Sequence, residues 1–219
     1  ENSIINRLGF NNKGIDYMVN NLKKRKYDGV VGVNIGANKS SEGIERINDY
    51  LLCIEKIHKL ADYITINISS PNTPDLRDLH LKENLQNLIT SVEKKIDEVK
   101  FTKPVFLKIS PDETDESIEM IVDLVNNSSF TGLIATNTTI EKDNLSNKKL
   151  KKEAGGVSGQ PLMEKSTNKI LLIRSKCPDI PLIGVGGVIS KDDYISKINA
   201  GADLVQIYTG FIIKGPNLI

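Results

Sequence analysis

The chain is 219 residues, long enough to bury a sizeable core. Charged residues make up 26% of it and nearly cancel, at a formal net charge of +1, which argues against a nucleic-acid partner or a membrane-surface binder relying on a basic excess. No apolar run reaches the roughly 18 residues of a membrane span, and the start carries no signal-like segment.

The chain opens on Glu1 without an initiator Met and stops at Ile219, just after Lys214-Gly215-Pro216, so a fragment or a processed chain is expected. Near the start, Asn6-Arg7-Leu8-Gly9-Phe10 mixes amide, cation and aromatic in a loop, and Lys23-Lys24-Arg25-Lys26 reads as the solvated polar end of a helix. Short, almost continuously apolar runs then follow: Gly29–Asn34, Tyr63–Ile68, Val105–Ile109, Gly132–Thr136, Pro181–Val185 and Leu204–Tyr208. Such runs fit strands covered on both faces of a parallel sheet.

Between the runs the period changes to about 3.6. Ile44, Ile47, Leu51, Ile54 and Ile57 share one helical face. Leu85, Leu88, Ile89, Val92, Ile96 and Val99 form a second stripe, and Ile118, Ile121, Val122 and Val125 a third. Shorter helices are expected around Ile170–Ile173 and Tyr194–Ile198. Alternating strand and helix means a parallel α/β sheet. A doubly wound sheet and a (β/α)8 barrel both fit. The barrel is favoured because polar or Gly-rich residues follow every strand run, as on a single functional rim. Six of eight strands are legible, so residues 1–219 are expected to form one partial barrel domain, with the missing strands on the N-terminal side.

The chemistry concentrates after the second run, where Asn67-Ile68-Ser69-Ser70-Pro71-Asn72-Thr73-Pro74-Asp75-Leu76-Arg77 cannot continue as a buried strand. This turn offers amides, hydroxyls and a guanidinium, groups suited to a small polar ring. Ser70 by itself reads as a turn residue, since a hydroxyl is a poor base unless its proton has somewhere to go. Lys108 interrupts an apolar strand and either snorkels outward or faces a buried function. Gly184-Val185-Gly186-Gly187, with Tyr208-Thr209-Gly210 on the next run, suggests a phosphate cradle at the last two strands of a barrel. Thr136-Asn137-Thr138-Thr139 alone is ordinary turn chemistry, and Glu153–Gly159 reads as a flexible Gly-rich loop. Asp112 reads as helix-capping. Cys53 and Cys177 read as two reduced thiols. His58 and His80 lack metal-ligand spacing, so no metal site is expected.

Taken in order, NRLGFNN, VGVNIGANK, ADYITINISSPNTPDLR, VFLKISPD, GLIATNTTI, EAGGVSGQPL, IPLIGVGGVIS and AGADLVQIYTGFIIKGP resemble the dihydroorotate dehydrogenases, the flavin enzymes of pyrimidine synthesis. Ser70, where a sister class carries Cys, makes the resemblance one to class 2, the quinone-dependent, membrane-associated enzymes. The resemblance implies oxidation of (S)-dihydroorotate to orotate. Ser70 would take the C5 proton while C6 gives a hydride to N5 of FMN, and a quinone would be the final acceptor. Asn67, Asn72, Asn137 and Thr138 would bind the pyrimidine, with Asn6, Arg7, Leu8, Gly9 and Phe10 closing the other side. Asn34, Asn67, Lys108 and Thr136 would contact the flavin, Lys108 stabilising the reduced ring. Gly159, Gly187, Tyr208 and Thr209 would hold its phosphate. The same resemblance implies peripheral attachment to the cytoplasmic face of the inner membrane through N-terminal helices not in this chain.

Two positions depart from the family pattern. Asp75 stands where Gly is usual, and Ala37 replaces a common Lys, which points to a loosened surface or flavin-edge contact. A chain with six strands is expected neither to close the barrel nor to hold FMN tightly by itself. Two other readings stay open: a non-redox phosphate-binding barrel acting as an isomerase or lyase, and an inactive fragment of the dehydrogenase.

Overall fold

Alternation within each strand decides the architecture. The computed structural model describes residues 2–70 and 81–219. Six parallel strands form one sheet in the order β2 (Gly32–Ile35), β3 (Tyr63–Asn67), β4 (Val105–Ile109), β5 (Gly132–Ala135), β7 (Leu182–Val185) and β8 (Leu204–Gln206). Successive side chains along a strand point to opposite faces. One set, including Val33, Ile35, Ile64, Ile66, Leu107, Leu133 and Leu182, packs into the large core under the helices. The other set, Phe106, Ile134 and Ile183 with Tyr63 and Val185 against them, forms a small cluster on the inner face. The sheet is therefore a curled half-barrel of α/β type with its helices on the outside.

The helices follow their stripes. They are α1 (Ile15–Lys23), α2 (Ile44–Ile57), α3 (Lys82–Glu98), α4 (Asp115–Asn126), α5 (Met163–Lys176), α6 (Lys191–Asn199) and the short α7 (Thr209–Lys214). Ile47, Ile54 and Ile57 of α2 and Leu85, Leu88, Ile89 and Val92 of α3 are all buried. Thr114 caps α4 by accepting from Ser117 N–H at 3.2 Å, and Ser190 caps α6 by accepting from Asp193 N–H at 3.2 Å. Acidic residues occupy the first turn of each, Asp115 and Glu116 in α4 and Asp192 and Asp193 in α6, where the helix dipole favours them. Asp112 is thus not the cap of α4, contrary to the expectation; it is committed elsewhere, as described below.

Two further differences from the sequence reading have physical causes. Gly29–Val31 lies outside β2: the Asp62 carboxylate accepts from Val31 N–H at 3.0 Å, in place of a ladder partner. The expected loop Glu153–Gly159 contains a strand, β6 (Gly156–Gly159), paired antiparallel with β1 (Ser3–Asn6). Glycines permit the approach. A Cβ on Gly155 would stand 2.3 Å from the Asn6 carbonyl oxygen, and one on Gly159 2.2 Å from that of Asn2. Asn6 accordingly ends a strand instead of opening a loop. Ala37 is also not at the surface: it is buried in the main core.

Candidate active site

The inner face of the sheet carries polar groups where it approaches the C-terminal rim. The strand register sets Asn67 beside Lys108, and Lys108 beside Ile134. Above this row a cavity of about 410 Å³ opens, a size suited to a small ligand. Ser70, Asn67, Asn137 and Thr138 line one side, Asn34, Lys108 and Thr136 the floor, and Gly187, Tyr208, Thr209 and Gly159 the opposite side. Leu8, Gly9 and Phe10 come over the mouth from the loop after β1. Gly9 and Phe10 both adopt left-handed φ, 60° and 59°, an uncommon conformation for a bulky residue that folds the aromatic ring back toward Gly36. A Cβ on Gly36 would lie 3.2 Å from that ring.

The first side is a fixed amide–hydroxyl network. Asn67 Oδ1 accepts from Ser69 N–H at 3.1 Å and from Ser69 Oγ at 2.9 Å. Asn137 Nδ2 donates to Ser69 Oγ at 3.0 Å, and Asn137 Oδ1 accepts from Thr138 N–H at 2.8 Å. Tyr50, buried in α2, donates to the Asn67 carbonyl at 2.8 Å. The loop carrying Asn137 and Thr138 is clamped behind: Asp112 accepts from Ile140 N–H at 3.0 Å, from Thr139 Oγ1 and from Lys165 Nζ at 2.7 Å. Burial alone would raise the Asp112 pKa, but these donors more than offset it and hold the carboxyl below its usual range.

Lys108 is the one lysine in the cavity wall among the described residues. Among the described residues no hydrogen bond or ion pair satisfies its ammonium, and burial pushes its pKa down to about 8. A cation held in a low-dielectric wall without an anion nearby is set up to meet negative charge from a ligand.

The opposite side works through backbone. Gly186 and Gly187 turn with φ of 122° and 83°. A Cβ on Gly187 would lie 2.4 Å from Met163 Cα, so the turn seats directly on the start of α5. Thr209 Oγ1 is 2.8 Å from Ser158 Oγ, which in turn bonds the Ile4 carbonyl, so this wall is tied to β6 and β1.

Of the residues expected at the site, Asn6, Leu8, Gly9, Phe10, Asn34, Asn67, Ser70, Lys108, Thr136, Asn137, Thr138, Gly159, Gly187, Tyr208 and Thr209 line this one cavity. Arg7 does not. Its guanidinium turns outward to Glu153, 3.3 Å away, and to the Ala154 carbonyl, while Asn6 and Leu8 on either side of it line the cavity. Asn72, Asp75, Arg77 and His80 lie outside the described residues. Three contributors escaped the sequence reading. Ser69 bridges Asn67 and Asn137, yet its only signal was adjacency to Ser70. Gln206 lines the cavity from β8; a polar residue inside an apolar strand run, the same signal as Lys108, marks it. The Asp112–Lys165 clamp carried no local signal. His58 is peripheral, its Nδ1 2.7 Å from the Glu55 carbonyl at the end of α2.

The profile of the dihydroorotate dehydrogenase family matches residues 1–219. The chain is 47% identical over 222 residues to a dihydroorotate dehydrogenase (quinone) of Saccharophagus degradans, covering 99% of this chain and 66% of that protein. It is 45% identical over 223 residues to one of Legionella pneumophila, covering 100% and 67%. A crystal structure of ligand-free DHODH from Eimeria tenella superposes with a TM-score of 0.92 at 33% identity, over 100% of this chain and 67% of that one. The chain thus spans about two thirds of the length of the relatives it matches.

Proposed function

The chain belongs to the dihydroorotate dehydrogenase family, and from that premise we propose that the whole protein oxidises (S)-dihydroorotate to orotate in pyrimidine (UMP) biosynthesis, with FMN as cofactor and a quinone as final acceptor. Residues 1–219 then contribute six strands of a single barrel domain. Peripheral attachment to a membrane, at the cytoplasmic face of the inner membrane, belongs to the same reading. No helix among the described residues is long and apolar enough to cross a bilayer.

One observation carries the reading: a single cavity joins a serine, an amide cluster, a buried lysine and a glycine turn. The residues suit a flavin nucleotide on two grounds: the buried Lys108 ammonium in the floor, for which no partner stands among the described residues, and the Gly186–Gly187 turn, where any added side chain would run into α5 and the cavity meets backbone. When bound, the flavin supplies a two-electron acceptor. Ser70 is the proton acceptor for the substrate carbon. Asn67 and Asn137 are held by Ser69 and Thr138, which leaves their remaining donors and acceptors to read a ring of alternating N–H and C=O groups. Lys108 offsets negative charge that develops over the floor, and Gly159, Gly187, Tyr208 and Thr209 receive the phosphoryl end. Phe10 and Leu8 exclude water from above.

A non-redox isomerase or lyase would need a carboxylate base on the rim. No carboxylate lines the cavity among the described residues, and Asp112 is engaged by Lys165 and Thr139. The deciding experiment uses the full-length protein with dihydroorotate and a quinone or a dye. Substrate-dependent acceptor reduction and a yellow chromophore are expected. A colourless protein that turns over a phosphorylated substrate would overturn the reading, and an inert flavoprotein would favour a remnant without activity.

A further inference from the structure

Directly behind the glycine wall lies a lysine that the site just described does not use. Lys197, on the inner side of α6, is fully buried, a rare state for a lysine without a charged partner. Its ammonium donates to Ser166 Oγ at 2.5 Å, Thr167 Oγ1 at 2.8 Å and the Met163 carbonyl at 3.2 Å, all at the start of α5. No carboxylate stands within ion-pair distance among the described residues. Asp193, one turn earlier on α6, acts on it through its field while its own oxygens accept from Ile189 N–H and Ser190 Oγ. Burial holds the Lys197 pKa down to about 7. Methionine of similar length would fill this space with no desolvation cost, so packing alone does not account for a lysine here.

The ammonium's contacts lead to the cavity. Ser166 Oγ accepts from Lys197, which leaves its own proton for a carbonyl: that of Gly186 at 3.0 Å, nearer than that of Met163 at 3.2 Å. A trans peptide sets the carbonyl and the following N–H on opposite sides. A Gly186 carbonyl drawn back onto α5 therefore turns the Gly187 N–H away from α5, and Gly187 lines the cavity. Gly186 and Gly187 both have positive φ and no side chain of their own to fix the turn.

We propose that Lys197 is a positioning residue for the anion end of the cavity: acting through Ser166, it orients the Gly186–Gly187 peptide so that its N–H meets the phosphoryl group of the bound nucleotide. This rests on the reading above that the β7–β8 wall takes a phosphate. Lys197 touches neither substrate nor cofactor. It sets the direction of a donor that glycine cannot fix for itself.

The test separates phosphate from ring. Full-length protein, stripped of flavin, is titrated with FMN and with riboflavin, which lacks the phosphate. Wild type is expected to prefer FMN. Lys197→Met and Ser166→Ala are each expected to weaken FMN binding about 10-fold, the size of one charge-assisted hydrogen bond, while leaving riboflavin affinity within about twofold. Thr167→Val, which removes one Lys197 contact but not the link to Gly186, is expected to leave the FMN preference intact. Parallel loss of both ligands, or an unchanged preference in Ser166→Ala, would overturn the positioning role. Ser166→Ala removes a single atom and decides the matter if Lys197→Met does not fold. A wild type that binds riboflavin as tightly as FMN would instead overturn the phosphate reading itself.

Discussion

The two walls of the cavity are built from different chemistry. On the β3–β5 side the groups that face the ligand are side chains: Asn67, Ser70, Asn137 and Thr138. Asn67 and Asn137 are held by Ser69 and by the Thr138 N–H, and changing one atom changes what the wall says. On the β7–β8 side a glycine turn presents backbone beside Gln206, Tyr208 and Thr209, and at Gly186–Gly187 the sequence contributes by leaving side chains out. The first wall encodes specificity in residue identity. The second encodes it in steric permission, with the orientation supplied from behind by Ser166 and Lys197. Lys108 stands between them, a buried charge with no partner among the described residues.

If this division is right, substitutions on the two sides fail in different ways. The largest effect is expected from Ser70→Ala in the full-length protein: dihydroorotate turnover falls by about 10²–10⁴-fold, while flavin content per protein is unchanged. A parallel fall in flavin content would break the division. Lys108→Met comes next and acts in two directions. The folded pKa of about 8 lies below the ordinary 10.5, so the unfolded chain holds this proton more tightly. Stability of the flavin-free protein should therefore rise with pH between about 8 and 10.5 and be lowest below 8. Removing the charge should stabilise the flavin-free protein at pH 7 by up to about 3 kcal/mol, with no gain above pH 10.5, while turnover falls. Unfolding curves at the two pH values check this, and the absence of a gain at pH 7 would mean the ammonium is already compensated.

The backbone wall should respond sterically. Gly187→Ala places a Cβ against Met163 at a left-handed φ, and a loss of about 1–3 kcal/mol is expected from overpacking, read as a lower melting temperature together with weaker flavin binding. Asn137→Ala removes the donor to Ser69 Oγ. Orotate affinity should fall about 10-fold with flavin affinity unchanged; loss of flavin would place Asn137 on the other wall's account. The smallest effect is expected at Arg7. Its exposed pairing with Glu153 predicts a stability change within about 0.5 kcal/mol for Arg7→Ala and unaltered turnover. A large loss of turnover would return Arg7 to the substrate side.

Much of this was legible from local pattern. Six strand runs and the helical stripes between them needed only periodicity, because side-chain alternation at 2.0 and 3.6 residues is a property of the backbone. Lys108 was legible as a charge that breaks an apolar run, and Gln206 would have been by the same rule. The motif around Asn67 and Ser70 was legible because two prolines end the strand and leave polar groups at its tip. Arg7 misled because its neighbours Asn6 and Leu8 do line the cavity, and the carboxylate that draws it outward, Glu153, lies 146 residues away. Asp112 misled because an acid just before a helix resembles a cap, whereas Thr114 fills that role.

What the sequence by itself determined, then, is the series of elements, the polar rim and the family. Tertiary structure alone decided the pairing of β1 with β6, the bond from Asn137 to Ser69 across 68 residues, and the path from Lys197 through Ser166 to Gly186. The reason is physical. Periodicity reports which face of an element is apolar, but not which distant group meets it. A hydrogen bond closed across a long loop leaves no trace in the residues between its ends, and it becomes visible only when the chain has brought those ends together.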